Sequence, residues 1–136
     1  LGVLIFLLLY DFLSIKPLIL FFLIFFIFFI GWYFIFLYVL KNGKHDPSEI
    51  IIDEFLGQLI SLIPILYLNS FSIGYKYFFE LLFLAFLLFR FFDILKPWPI
   101  NIIDRTKSSL SILLDDVVAG LFSSIFILIF LLWLEN

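Results

Sequence analysis

Long apolar runs separated by short polar breaks organise the whole chain. Leu18 to Leu40 carries no charged residue, whereas Ile50 to Leu68, Tyr77 to Leu95 and Ile112 to Leu134 are apolar with a few ionisable intruders. Leu1 to Ile15 is shorter and carries Asp11. A helix needs about 20 apolar residues to cross the roughly 30 Å hydrocarbon layer. The pattern therefore predicts an all-α, multihelical integral membrane bundle with four to five spans, the first stretch being the uncertain one.

Composition agrees. The 136-residue chain is 65% hydrophobic and 23% aromatic, against the roughly 45–50% apolar content of soluble domains. The 22 phenylalanines imply no function, because lipid accepts Phe, Ile and Leu with similar ease. The absence of cysteine excludes disulfides, thiolate metal sites and cysteine phosphatase chemistry. The N-terminal stretch has neither a basic flank nor a small-residue cleavage site, so it does not read as a signal peptide.

Charge sorts by side. If the segments alternate, one face receives Lys41, Lys44, Arg90, Lys96, Arg105 and Lys107, and the other only Lys16 and Lys76. The positive-inside rule makes the first face cytoplasmic. Asp46, Glu49, Asp53, Glu54, Asp93, Asp104, Asp115 and Asp116 fall on that face as well, leaving Asp11, Glu80 and Glu135 for the rest. An apolar chain that gathers its charges at one membrane face invites a chemical explanation.

The third segment opens with "HDPSEIIIDEFLGQLIS". Asp46, Pro47 and Glu49 read as an N-cap, a first-turn proline and a capping-box acid. Asp53 and Glu54 are expected more than a turn inside the helix, where acids are disfavoured unless they face protein or water. The fifth segment places Asp115 and Asp116 in a similar position. Asp53, Gly57 and Ser61 repeat at every fourth residue, as do Asp116, Gly120 and Ser124. Each set forms a stripe of small residues along one helix face. The two stripes are expected to pack together and to bring Asp53 to Asp116. The fourth segment ends in "RFFDILKPWP", where Arg90 and Asp93 share a face and the prolines stop the helix. A loop carrying Asp104, Arg105 and Lys107 follows.

Clustered carboxylates need positive charge among them. Oxygen-only donors suit Mg²⁺, which keeps waters and reaches substrate phosphate. Arg90, Lys96, Arg105 and Lys107 are suited to phosphate oxygens, arginine in bidentate fashion. Together with the membrane setting, these residue types point to phosphoryl chemistry on a lipid headgroup. His45 is the only histidine; this rules out a two-histidine relay, and His45 reads as a loop residue.

"DPSEIIIDEFLGQLISL" and "RFFDILKPWPINIIDR…LLDDVVAG" resemble the two signature blocks of the phosphatidylglycerophosphatase A family, across roughly His45 to Ser124. The resemblance implies Mg²⁺-dependent hydrolysis of phosphatidylglycerol phosphate, an anionic glycerophospholipid, to phosphatidylglycerol and inorganic phosphate. It implies a multi-pass protein of the bacterial inner membrane with its site at the cytoplasmic face. Asp53, Glu54, Asp93, Asp115 and Asp116 are then the catalytic and metal-binding acids, and Arg90, Lys96 and Arg105 contact phosphate. A water activated by the metal is the simplest nucleophile. The family also carries a Gly/Pro-rich segment ending in a PGTxGS-like turn, and Leu1 and Gly2 stand about where that turn would finish. Residues 1–136 are thus expected to be a single domain without that segment.

Rival readings make different predictions. A CDP-alcohol phosphatidyltransferase needs a D-G-x-x-A-R segment, which is absent. A proton or ion carrier would spread its acids through the membrane depth, whereas here they concentrate at one end. A non-catalytic membrane subunit would tolerate exchange of the acids. No nucleic-acid partner is expected, and the oligomeric state is left open.

Overall fold

The computed structural model describes residues 2, 3, 6, 17–42, 50–70 and 76–135. Its elements are α1 (Pro17–Asn42), α2 (Ile52–Ser61), a 3₁₀ helix (Ile63–Ser70), α3 (Phe78–Leu95), α4 (Ile100–Arg105) and α5 (Ser109–Glu135). No strand occurs among the described residues. The fold is all-helical, as the apolar periodicity predicts. Of the first apolar stretch only residues 2, 3 and 6 are described; Asp11 lies outside the described residues, as do His45 and the capping residues Asp46, Pro47 and Glu49.

Local chemistry accounts for the element ends. Proline is well tolerated in the first turn of α1, where its missing N–H leaves no gap. The other end of α1 carries Lys41, a cation suited to a helix C-terminus. α5 begins with a reciprocal cap. Ser111 N–H donates to Ser108 Oγ at 3.0 Å, and Ser108 N–H donates to Ser111 Oγ at 2.7 Å, a serine version of the capping box. α3 ends on Lys96, whose φ of 43° is left-handed; Pro97, Trp98 and cis-Pro99 then turn the chain into α4. The loop expected there is thus partly a short helix.

The expected span from Ile50 to Leu68 is not one α-helix. α2 begins only at Ile52 and gives way after Ser61 to the 3₁₀ helix. Pro64 is the physical reason: it has no N–H to donate, and its ring crowds the carbonyl four residues earlier. The tighter bonding is visible in Ile65 N–H, which donates to Leu62 O at 3.1 Å. Ten residues make α2 only about 15 Å long, too short to cross a bilayer alone.

α5 is the spine, packing against α1, α2, α3 and α4. One core joins Leu59, Leu62 and Ile65 to Leu81, Ala85 and Ile127; a second joins Ile35 to Leu56, Ile60 and Leu113; a third sets Phe89 and Phe92 against Ile100 and Ala119. Outward faces are apolar as well. On α1, Phe21, Phe22 and Phe26 are each more than 60% exposed. Two segments, Leu18–Lys41 and Ser109–Glu135, are long and apolar enough to cross a membrane. With so much phenylalanine turned outward, they point to a membrane association.

A candidate active site of carboxylates and cations at the α2 and α5 contact

The two small-residue stripes meet. A Cβ on Gly57 would lie 2.5 Å from both the Asp116 carbonyl oxygen and the Phe89 ring, and a Cβ on Gly120 would strike the Gly57 carbonyl. Glycine on both sides lets the backbones touch. Because Gly57 follows Asp53 by one turn and Gly120 follows Asp116 by one turn, this contact sets the acids of α2 beside those of α5. Ser61 is buried but turns back to Gln58, accepting from its Nε2 at 2.9 Å. Ser123, rather than Ser124, makes the interhelical bond, donating to Ala85 O at 3.2 Å.

The acids occupy different settings. Asp53 and Glu54 stand in the first turn of α2, not more than a turn inside it as expected, because the helix starts at Ile52. They complement the positive end of the helix dipole. Ile51 occupies the cap position without a side-chain bond, and the Glu54 N–H donates to Asp53 Oδ1 at 2.9 Å. Asp115 and Asp116 lie well inside α5 and are 7% and 5% exposed. Asp93, Asp53 and Asp115 all stand close enough to the Asp116 carboxyl to act on it electrostatically. Carboxylates crowded together in this way repel one another unless a proton or a cation stands among them.

Two basic side chains clamp the cluster from either side. Arg90 donates from Nη1 to Asp93 Oδ2 and from Nη2 to Glu54 Oε2, each at 2.9 Å. It thereby ties α3 to α2. Lys96 Nζ donates to Asp115 Oδ2 at 2.8 Å and also to Asp104 on α4. Burial alone would lower the Lys96 pKa, but hydrogen bonds and charge from Asp104 and Asp115 outweigh it and hold the ammonium above the ordinary lysine value. Lys96 is therefore a fixed positive charge.

The acids do not form one closed shell. Glu54 is drawn toward Arg90, and among the described residues no three acids converge closely enough to enclose an ion by themselves. Asp115 Oδ1 is nonetheless buried without a hydrogen-bond partner, and a buried acceptor in that state needs a donor or a cation. Arg105 is exposed at the end of α4 and has no ion pair to another described residue. Asp104, which the sequence places in a solvated loop, proves to be the second anchor of Lys96. The Pro97 to Pro99 turn that brings them together leaves no periodic signal to read.

These features define an all-helical, membrane-associated protein with a partly buried carboxylate cluster flanked by two ion-paired basic side chains. The profile of the phosphatidylglycerophosphatase A family matches residues 1–131, and the chain belongs to that family. It is 37% identical over 93 residues to phosphatidylglycerophosphatase A of Haemophilus influenzae, covering 68% of this chain and 52% of that protein. It is 36% identical over 83 residues to phosphatidylglycerophosphatase A of Escherichia coli, covering 60% and 43%. A putative phosphatidylinositol-3-phosphatase of Bacteroides thetaiotaomicron is 37% identical over 82 residues, covering 60% and 47%. The chain thus spans about half the length of these curated relatives. No solved structure matches it.

Proposed function

We propose that the chain acts as a Mg²⁺-dependent lipid phosphatase, converting phosphatidylglycerol phosphate to phosphatidylglycerol and inorganic phosphate. The observation that carries this reading is the carboxylate cluster of Asp53, Asp93, Asp115 and Asp116, clamped by Arg90 and Lys96, in a chain of this family. The orphaned Asp115 Oδ1 and the mutual repulsion of Asp93, Asp53 and Asp116 suit a cation, and Mg²⁺ takes few protein carboxylates alongside water and phosphate. Asp93 and Asp116 would hold it, with Asp53 and Asp115 adding negative charge beside them, since among the described residues no three acids converge on one point. When bound, Mg²⁺ supplies Lewis-acid charge to the phosphoryl oxygens.

The chain's own groups supply the rest. Arg90 and Lys96 bind phosphate oxygens, which requires Arg90 to share or release a carboxylate partner. Glu54 orients the guanidinium, and Asp104 and Asp115 orient the ammonium. Arg105 adds charge at the rim. Attack of water on phosphorus breaks the bond to the glycerol oxygen; an aspartate of the cluster takes the water's proton, and the departing oxygen gains one.

In this reading the protein is multi-pass in the bacterial inner membrane. α1 and α5 cross, α3 crosses with its charged end inward, and α2 with the 3₁₀ helix, together about 31 Å of helix, supplies a broken fourth crossing. The excess of cations near the site supports a cytoplasmic location. Phosphate release from phosphatidylglycerol phosphate by purified protein, with Mg²⁺ or chelator, tests the proposal. Release should require Mg²⁺ and disappear in Asp116→Asn; release that persists in chelator removes the metal, and no release with Mg²⁺ removes the activity.

A further inference from the structure

Arg90 has a second neighbour besides the acid cluster. It and Glu54 stand at one end of a cleft of about 480 Å³ whose other lining is apolar except for Gln58. Phe55 of α2 forms one wall, Leu82, Phe83 and Phe86 of α3 form another, and Gly2 and Val3 contribute a third. Phe79, the lowest lining residue of α3, is eleven positions before Arg90. At the rise of an α-helix this gives the cleft a depth of about 16 Å. One leaflet's hydrocarbon occupies about 15 Å, half of the bilayer core. Phe79 and Phe83 are 73% and 64% exposed, so the cleft is open sideways along α3.

We propose that this cleft seats one acyl chain of the anionic glycerophospholipid whose phosphate Arg90 holds. The inference rests on the lipid-phosphatase reading for the identity of the headgroup. The cleft has the Arg90 and Glu54 pair at one end and, beyond it, a leaflet's depth of wall that is apolar but for Gln58, the polarity order of a phospholipid. A tail that leaves the bilayer for the cleft exchanges one apolar environment for another and gains little affinity. Its value is registration: a seated tail limits where the glycerol and phosphate can sit relative to Arg90 and the carboxylates. Glu54 stands at the junction, one residue from Phe55 on the cleft wall and bonded to Arg90. The lateral opening admits the tail from the membrane without exposing it to water.

The test uses the full chain in phosphatidylcholine vesicles containing a phosphatidylglycerol phosphate probe with a photoreactive diazirine at mid-chain. Labelling mapped by mass spectrometry should fall on Phe55, Phe83 and Phe86. It should drop about ten-fold when excess unlabelled phosphatidylglycerol phosphate competes, and not when phosphatidylcholine does. Labelling of Phe21 and Phe25 on the outer face of α1 should ignore both competitors. Cleft labelling that phosphatidylcholine displaces equally, or that never exceeds labelling on α1, overturns the proposal. Leu82→Trp, which fills the cleft, should lower the headgroup-dependent labelling about ten-fold. Because Leu82 is buried, Phe83→Trp at an exposed wall position repeats the test without disturbing the core, and unchanged headgroup-dependent labelling in both variants also overturns it. Labelling needs no turnover. An inactive chain that labels the cleft keeps this inference and loses the hydrolase reading; an active chain that labels indiscriminately does the reverse.

Discussion

α2 and α5 carry the same spaced trio of aspartate, glycine and serine, yet they use it differently. α5 runs unbroken for 27 residues and buries its aspartates well inside the helix. α2 lasts ten residues, holds its acids in the first turn and passes into a 3₁₀ helix. Matching letters therefore do not make matching sites. What the pair shares is the glycine contact; what differs is how far each carboxylate is removed from water. α5 supplies the fixed floor of the cluster, and α2 supplies a shorter, better hydrated rim.

That contrast sets the order of expected effects. Asp116→Asn should lower phosphate release about 10³-fold and Asp53→Asn about 10²-fold, measured with phosphatidylglycerol phosphate at saturating Mg²⁺. Equal losses would show that the difference in burial has no catalytic consequence. Next come the glycines. A methyl group at Gly57 or Gly120 meets backbone of the opposite helix, so alanine at either should destabilise by about 2–3 kcal/mol in detergent unfolding. Gly31 is the control: the nearest atoms to its added Cβ belong to the Ile52 side chain, at 3.3 Å. Gly31→Ala should stay within about 1 kcal/mol of wild type.

Smaller effects sharpen the picture at the cluster's edge. Lys96 holds a left-handed backbone that glycine adopts freely. Both Lys96→Gly and Lys96→Ala lose the bonds to Asp104 and Asp115, but the glycine variant should be the more stable by about 1 kcal/mol. Both should lose activity by similar factors, since they share the missing ammonium. The exposed Arg105 should matter least: Arg105→Ala is expected to change stability by less than about 0.5 kcal/mol and to raise KM a few-fold without altering kcat.

Much of the site could be read before the fold. The four-residue spacing of Asp53 with Gly57, and of Asp116 with Gly120, is a surface property of any helix, so each stripe is legible in the letters; the meeting of the two, expected from their small residues, is seen only in the fold. Arg90 with Asp93 is legible for the same reason. The break at Pro64 is not, because an apolar run looks the same whether its backbone bonds reach three residues or four. The partnership of Lys96 with Asp104 depends on a proline turn whose direction has no hydropathic signature. Glu54 shows a further limit: a charged residue next to an acidic site can serve an arginine instead, and only the facing helix decides which.

The closeness of α2 and α5 is open to direct measurement because the chain has no cysteine of its own. Asp53→Cys combined with Asp116→Cys, treated in native membranes with a short bifunctional thiol reagent, should give an intramolecular cross-link recovered by mass spectrometry. Phe25→Cys with Asp116→Cys, which places one thiol on the exposed outer side of α1, should give none. Cross-linking of the control pair at the same yield, or a failure of the 53 and 116 pair to join at all, would contradict a site built on the meeting of these two helices.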